Sequence, residues 1–487
     1  MSGQDEVVDF LAGMTSERIE THISHIFLTD RSVYKLKKAV TLPYVDFAPL
    51  EARRKACGAE LELNRRTAPM LYRRVVAVTR ETNGALALGG SGEVLDWVVE
   101  MNRFDQDKQL DRLTLDKDLI QELADAVVTM HLGAEITEDW GGYHGLLTVV
   151  EGNHASFLHA VPAIFSAAEV DALTARSRSA LDHHRALLEQ RRLSGKVRRC
   201  HGDLHLGNIC LIDGKPVLFD AIEFSDTIAC IDMVYDLAFL VMDLDRCGKG
   251  EFAALLLSRW LAATGDFAAL PLLPLMLSLR AAIRSHIAGV LGRAEEARDY
   301  FTRAQAYLDP APPRLVAVGG LSGTGKSHLS RKLAPFVGAA PGAVVLRTDA
   351  IRKHLMGVQP ETRLPPSAYQ DAVTERVYGL LLEQAEQALL AGHAVVADAV
   401  FARPDQRRAL ADLAARVGVG FTGLWLEAGA EDLRRRIEAR RNNASDATVA
   451  VLDRQLDYDL GPIDWTVIDS SGDKTRTVAL AREVLHV

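Results

Sequence analysis

His201-Gly202-Asp203-Leu204-His205-Leu206-Gly207-Asn208 and, nine residues on, Val217-Leu218-Phe219-Asp220 are the stretches on which the reading of this 487-residue chain turns. Between them Asp213-Gly214 separates Ile209-Cys210-Leu211-Ile212 from Lys215-Pro216-Val217-Leu218-Phe219. A two-residue Asp-Gly connection between such runs is the strongest short-range hairpin signal. Counting outward from it pairs Ile212 with Lys215, Leu211 with Pro216 and Asn208 with Phe219. Asn208 and Asp220 therefore meet at the open end of the hairpin. Pro216 has no amide donor, so its strand lies at an edge or presents that position on an unpaired side.

Those residues are the right types for phosphoryl transfer. Asn208 offers a neutral carbonyl oxygen and Asp220 a carboxylate, the hard ligands that magnesium prefers, and Asp203 would accept a hydroxyl proton. An Asp followed by a metal-binding Asn and, after a hairpin, by a metal-binding Asp is the order of protein-kinase catalytic machinery. Here the loop reads His-Gly-Asp, and Asp220 is followed by Ala221-Ile222-Glu223, not Phe-Gly. Asp, Gly and Asn are also ordinary turn residues; the spacing, the hairpin and the flanking strands together favour the catalytic reading. This variant resembles the aminoglycoside phosphotransferase family, whose members have a kinase-like fold and phosphorylate hydroxyls of small molecules.

The resemblance implies further parts upstream. Ser32-Val33-Tyr34-Lys35-Leu36-Lys37-Lys38 reads as a strand with two lysines on one face. Lys37 best matches the family's Tyr-x-Leu-Lys phosphate-binding position, and Lys35 is the rival. An amphipathic helix over 53–66 follows, where Glu60 is the candidate for the ion pair that orients the lysine and Glu62 the alternative. Leu95-Asp96-Trp97-Val98-Val99-Glu100-Met101 reads as a strand leading to Asn102-Arg103-Phe104, where chain order puts a hinge that holds adenine by backbone hydrogen bonds. No G-x-G-x-x-G precedes the lysine strand. The nucleotide loop would then use hydroxyl and backbone donors from Thr21 to Ser24. Downstream, the family implies an acid near Asp232 or Asp236 bracing the catalytic loop, and helices to about 308 forming the acceptor pocket. Asp243, Asp245, Arg280, Arg284 and His286 are candidate lining residues there, although such residues are more often surface or satisfied polar groups.

Asp309-Pro310-Ala311-Pro312-Pro313 ends the helical region and is followed at once by the apolar run Leu315-Val316-Ala317-Val318. After it comes Gly320-Leu321-Ser322-Gly323-Thr324-Gly325-Lys326-Ser327, a full P-loop in its confirming place between strand and helix. Backbone amides of Ser322, Gly323, Thr324, Gly325 and Lys326 would wrap phosphates, the Lys326 ammonium would neutralise transferred charge, and the Ser327 hydroxyl would hold magnesium. Apolar strands recur at 343–346, 394–397, 421–426 and 465–468, separated by helical patterns. That alternation indicates a parallel sheet with ligands at the carboxyl ends of its strands. Asp349 lies just beyond the second strand and Asp398 closes the third. Asp349-Ala350-Ile351-Arg352 resembles the acid and arginine with which small-molecule P-loop kinases, gluconate kinases among them, activate and hold their acceptor. The resemblance makes Asp349 the base and Arg352 the anion-binding group. Asp398 is the metal-side acid, and Ala399 stands after it where a hydrolysing ATPase carries Glu. Arg436 and Arg440, four apart in the arginine-rich 433–442 segment, share a helix face and are candidates for a lid over the phosphates; a solvated basic face competes with that reading.

A chain of 487 residues with 48% hydrophobic content supports two or three domains with real cores. A net charge of -9 gives no general field for a nucleic-acid backbone, so a large nucleic acid is disfavoured as substrate. Cys57, Cys200, Cys210, Cys230 and Cys247 lack metal-ligand spacing and suit reduced thiols in a cytoplasm. The amino terminus lacks the pattern of a signal peptide. The most apolar stretch, 267–279, is interrupted by Pro271 and Pro274 and is too short to span a bilayer, which points to a soluble protein without a membrane partner.

Together these features predict a multidomain protein of mixed α/β and α+β class. A kinase-like bilobal half would occupy 1–308, with a small lobe to about 101 and a large lobe over 102–308; a P-loop parallel α/β half would occupy 314–487. The combination resembles bacterial two-domain proteins that fuse an aminoglycoside phosphotransferase to an AAA-type or gluconate-kinase-like ATPase. It implies ATP and Mg2+ as cofactors and a small molecule with a hydroxyl group as acceptor. The expected activity is bifunctional transfer of the γ-phosphate. Alternatives are a phosphotransferase gated by its P-loop half and a polynucleotide 5′-hydroxyl kinase.

Overall fold

The computed structural model describes residues 3–15, 17–42, 45–359, 361–439 and 446–487. They form two compact units, one of Met1–Thr148 with Arg185–Leu240 and one of Val149–His184 with Val241–Val487. The proline-rich 309–313 linker lies inside the second unit, which also takes in helices that precede it.

The first unit carries a six-stranded antiparallel sheet in the order Glu17–Glu20, Ser24–Leu28, Ser32–Lys37, Glu93–Asn102, Tyr72–Arg80, Leu86–Leu88. The helix Leu50–Asn64 buries Arg53, Cys57, Glu60 and Asn64, positions that recur at three and four residues and so line one face. That face therefore presents two charged groups and an amide to the interior, which is affordable only where partners wait for them. The surrounding apolar core joins Leu28, Val33, Cys57, Leu71 and Val99 to Cys210, Val217 and Phe219 of the catalytic hairpin.

The hairpin has the register counted from its turn. Ile212 pairs with Lys215, Leu211 with Pro216 and Ile209 with Leu218, and the Phe219 amide donates to the Asn208 carbonyl at 3.0 Å. Asp213 and Gly214 have φ of 51° and 76°, as a type I′ turn demands. The two strands form their own two-stranded sheet, so the missing amide of Pro216 has an edge to occupy.

The second unit is organised by a five-stranded parallel sheet in the order Val344–Arg347, Val395–Asp398, Arg314–Gly320, Gly420–Glu427, Thr466–Asp469. Each strand lies within two residues of its expected place. On one face Leu329 and Leu333 of the helix Lys326–Leu333 and Ala481 and Leu485 of Lys474–Leu485 pack on Val316, Val318 and Leu424. The edge strand Val344–Arg347 is covered by the helix Gly250–Thr264, whose Ser258 hydroxyl accepts from the Val345 amide at 2.9 Å. Covering the edge in this way blocks pairing with other chains.

One expectation about the apolar region is corrected. Pro271 and Pro274 do not interrupt it: a 3-10 turn over Phe267–Leu272 runs into the helix Leu273–Val290. Pro274 lies in the first turn, where its absent N–H has no intrahelical acceptor to lose. The continuous stretch Phe267–Val290 is long and apolar enough to cross a bilayer by length and composition, and 72% of its most apolar window is buried inside the protein.

Candidate active sites

In the first unit the catalytic loop is held from behind. The buried Asp236 carboxylate accepts the His201 amide at 3.1 Å and the Gly202 amide at 2.9 Å, and it lies 3.1 Å from His131 Nε2. His201 Nε2 is in turn 2.9 Å from the Phe219 carbonyl, which ties the loop to the hairpin. Burial keeps the His201 ring below its ordinary pKa. Of the two acids expected near this loop, Asp236 does the bracing. Asp232 instead accepts two bonds from Arg191, at 2.7 and 2.9 Å.

On that support Asp203 and Asn208 come together directly. The Asn208 amide donates to the Asp203 carbonyl and to its carboxylate Oδ2, each at 3.0 Å, and His205 Nε2 lies 3.5 Å from the same oxygen. The Asp203 side chain is 38% exposed, open to an incoming group. Asp220 adopts φ 64°, a left-handed backbone that Asp tolerates better than most residues, and its amide donates to the Tyr72 hydroxyl at 3.1 Å. The next amide, of Ala221, donates to Asn64 Oδ1 at 2.8 Å.

Both strand lysines point into this site and share Glu60. Lys35 Nζ lies 2.8 Å from Glu60 Oε1 and 2.5 Å from Asp220 Oδ1. Lys37 Nζ lies 2.6 Å from Glu60 Oε2, and it also bonds Glu223. Lys37 and Glu60 are fully buried, whereas Glu62 is exposed. Burial opposes ionisation of Glu60, but the two ammonium groups outweigh it and bring the carboxyl down to about 2. Burial also opposes charging Lys35, and Asp220 with Glu60 reverses that, so its pKa stands well above the ordinary lysine value. Glu223 goes the other way: burial raises its carboxyl despite Lys37. In the sequence Glu223 marks only a departure from Phe-Gly; its buried partner Lys37 cannot be seen from spacing. Tyr72 and Asn64 were likewise missed, because their role rests on long-range backbone bonds.

Two nucleotide-loop expectations meet spent donors. The Asn102 amide donates to the Leu71 carbonyl at 2.8 Å and the Arg103 amide to the Arg31 carbonyl at 2.9 Å, so neither amide is offered to an adenine. The Thr21 hydroxyl donates to the Ser24 carbonyl and accepts the Ser24 amide, closing the turn between two strands.

The five acceptor-pocket candidates belong to the second unit. Asp245 accepts from the Tyr307 hydroxyl at 2.6 Å, Arg280 is buried, and Arg284 lies 5.7 Å from the centre of the Tyr300 ring. His286 packs edge-on against Phe157 and is pushed down to about 4 by burial.

The second centre is the P-loop. Gly320 and Gly323 have φ of 134° and 94°, and a Cβ on either would lie 2.5 Å from the Leu426 carbonyl oxygen or 2.9 Å from that of Leu433. Glycine is required at both positions by backbone and by space. Gly325, at φ 95°, opens the helix Lys326–Leu333, whose first turn carries Lys326 and Ser327. Lys326 Nζ donates to the Leu321 carbonyl at 2.9 Å, the Thr324 hydroxyl donates to the same oxygen at 2.8 Å, and the Ser322 amide donates to Gln455 Oε1 at 2.8 Å. A cavity of about 1230 Å3 is lined by Lys326, Ser327, Asp349, Arg352, Asp398 and Arg436, among others.

Within that cavity Asp349 sits in the first turn of the helix Thr348–Leu355, and Arg352 one turn on is buried. Arg352 already donates to the Ala368 carbonyl at 2.6 Å and to the Thr374 hydroxyl at 3.3 Å, and it lies over the Tyr369 ring. Asp398 ends its strand and is 4% exposed. Arg436 donates to the Ser470 and Ser471 carbonyls at 2.7 and 3.1 Å, so its guanidinium is engaged by the end of a strand and not turned wholly to the loop. Arg440 lies outside the described residues. Sequence reasoning missed Arg347, whose Nε lies 3.2 Å from Asp398 Oδ2 and whose Nη2 lies 3.1 Å from Ser327 Oγ. It also missed Asp446, which accepts from Lys353, from the Tyr369 hydroxyl and from the Leu364 amide.

Each centre has donors suited to a hard dication. Asn208 and Asp220 supply an amide oxygen and a carboxylate, and Ser327 and Asp398 a hydroxyl and a carboxylate. In both, a cationic side chain already bonds the acid, Lys35 on Asp220 and Arg347 on Asp398.

Two family models match separate stretches of the chain. Residues 59–273 match the phosphotransferase enzyme family and residues 315–459 match an AAA domain family. An uncharacterized protein of Mycobacterium tuberculosis (strain ATCC 25618 / H37Rv) is 28% identical over 486 residues, covering 96% of this chain and 94% of the relative. Among solved structures, a gluconokinase from Sinorhizobium meliloti 1021 is 20% identical, covering 36% of this chain and 97% of its own, with a TM-score of 0.25. The GDP and kanamycin complex of APH(2")-IIia is 14% identical, covering 62% and 97%, with a TM-score of 0.36. The chain thus carries a match to the phosphotransferase enzyme family over 59–273 and, around its P-loop and parallel sheet, a match to an AAA domain family over 315–459.

Proposed function

We propose that the protein is a bifunctional ATP-dependent phosphotransferase that passes the γ-phosphate to hydroxyls of small molecules such as sugars, polyols or aminoglycoside-like compounds. The observation that carries this reading is the same grouping in each unit: a carboxylate base open to a ligand, a metal-side acid and a lysine. In the first, Asp203 orients and deprotonates the acceptor hydroxyl, and Asn208 and Asp220 are the residues that would hold Mg2+. Because Lys35 and not Lys37 touches Asp220, we assign the phosphate contact to Lys35, with Lys37 bracing Glu60 from the other side. In the second, Lys326 meets the phosphates, Ser327 and Asp398 would hold Mg2+, Asp349 acts on the second acceptor and Arg352 binds its anionic group. Bound magnesium would supply charge neutralisation on the phosphates. The protein groups supply alignment and proton acceptance, which is most of what this reaction needs.

We place the functional division at the proline-rich 309–313 segment. The reduced-thiol cysteines and acidic charge favour a cytoplasmic enzyme acting on small acceptors rather than a polynucleotide kinase. The spent donors of Arg436 and Arg352 support a second reading, in which the P-loop half opens and closes on nucleotide to control the first centre.

Screening sugars, polyols, aminoglycosides and nucleosides with ATP tests the proposal. Asp203→Ala and Asp349→Ala should each abolish a different phosphorylated product, with losses of about 100- to 10,000-fold for removal of a general base. If Asp349→Ala leaves every product intact while Lys326→Ala alters their rates, gating replaces the second transfer. If neither aspartate affects any product, transfer itself is the wrong reading.

A further inference from the structure

Arg347 stands where the chemistry of a P-loop centre calls for a dication. It is the last residue of the strand Val344–Arg347, and the parallel register sets it directly beside Asp398. From there its guanidinium bonds the Asp398 carboxylate at 3.2 Å and the Ser327 hydroxyl at 3.1 Å, the two groups that would ligate magnesium. Asp398 is 4% exposed, and a carboxylate so buried requires a counter-charge. The Arg347 side chain is 22% exposed, so it can swing out of this position without dismantling the core.

We propose that Arg347 is a resident counter-cation of the P-loop centre: it keeps Ser327 and Asp398 in place in the nucleotide-free state and neutralises the phosphates of a nucleoside triphosphate that arrives without metal. Arg347 gives up the bond to Asp398 when a divalent cation is to be ligated there. The centre should therefore bind free ATP nearly as well as ATP with magnesium, in contrast to a P-loop whose positive charge comes only from its lysine and the metal. Guanidinium suits this task because its fork of donors serves a carboxylate, a hydroxyl or phosphate oxygens alike. The inference rests on the P-loop being a nucleotide site, as proposed above.

The test is calorimetric titration of ATP into the full chain, once with magnesium and once with a chelator. The component of binding lost in Lys326→Ala reports the P-loop centre and separates it from the first. Arg347→Gln should weaken that component about 10- to 100-fold in chelator, the scale of one charge-assisted bond, and leave it unchanged or tighter with magnesium. Arg347→Lys, which keeps the charge, should retain most of the affinity in chelator. Equal weakening by Arg347→Gln under both conditions, no weakening under either, or identical behaviour of the Lys and Gln variants would overturn the role of Arg347. Absence of any Lys326-dependent component in the wild-type chain would instead refute the nucleotide site itself.

Discussion

Lys35 Nζ bridges Asp220 Oδ1 and Glu60 Oε1, at 2.5 and 2.8 Å, so the acid at the end of the catalytic hairpin and the acid of the charged helix meet on one ammonium group. Lys37, two residues along, takes the other oxygen of Glu60 together with Glu223. The strand thus presents two lysines with separable duties. The outer one touches a partly exposed acid that a metal could claim. The inner one neutralises charges that are buried.

Lys35→Met and Lys37→Met should consequently fail in different ways. Lys37→Met leaves Glu223 and one oxygen of Glu60 buried without a cation and should cost about 3–5 kcal/mol of stability. Adding Glu223→Gln should recover part of that loss, which a double-mutant cycle by thermal or denaturant unfolding would measure. Lys35→Met should lower nucleotide affinity and transfer at the first centre while costing less stability than Lys37→Met. Equal stability losses, with transfer unaffected by Lys35→Met, would contradict the division of roles.

Asp236→Asn tests the brace behind the catalytic loop. The amide nitrogen of the variant would face the donors of His201, Gly202 or His131, leaving at least one buried donor without an acceptor at about 1–3 kcal/mol. Transfer by the first centre should fall about 10- to 100-fold as Asp203 loses its setting, with nucleotide affinity changed far less. Steady-state kinetics beside direct binding would separate the two effects.

Gly323→Ala and Gly325→Ala form a matched pair in the phosphate loop. Both have φ near +95°, but among the described residues only at Gly323 would the new methyl meet backbone, the Leu433 carbonyl at 2.9 Å; none of them lies within 4 Å of a Cβ on Gly325. Gly325→Ala should cost about 1–2 kcal/mol through its backbone alone. Gly323→Ala should cost more and should weaken Lys326-dependent nucleotide binding at least 10-fold, on the order of the strain such a position stores. Binding and melting measurements on the two variants would check the ranking.

His393 makes the second unit acid-sensitive. Its ring is buried, neither ring nitrogen has a hydrogen-bond partner among the described residues, and burial pushes it down to about 4 from the ordinary 6.5. The folded state keeps the ring neutral while the unfolded state takes up a proton. The stability it permits is therefore intact above about pH 6.5 and is lost progressively as pH falls from there through about 4, by on the order of 3 kcal/mol. His393→Leu should flatten that part of the unfolding free energy against pH. An unchanged slope between pH 6.5 and 4 would contradict the assignment.

Much of this architecture was legible from local chemistry. The Asp-Gly turn set the register that brings Asn208 and Asp220 to one end of a hairpin, and alternating apolar runs marked all five strands of the parallel sheet, because turn geometry and periodicity act over a few residues. What no spacing could settle was which of two like groups reaches a distant partner. Lys35 and Lys37 point the same way from one strand, and Asp232 and Asp236 lie four residues apart across the junction of a strand and a helix; each choice depends on depth against elements far along the chain. The same holds for Arg347 on Asp398 and for the carbonyls that occupy Arg436. Charge in a low-dielectric interior goes to whichever partner packing brings within reach, and packing is a property of the whole fold.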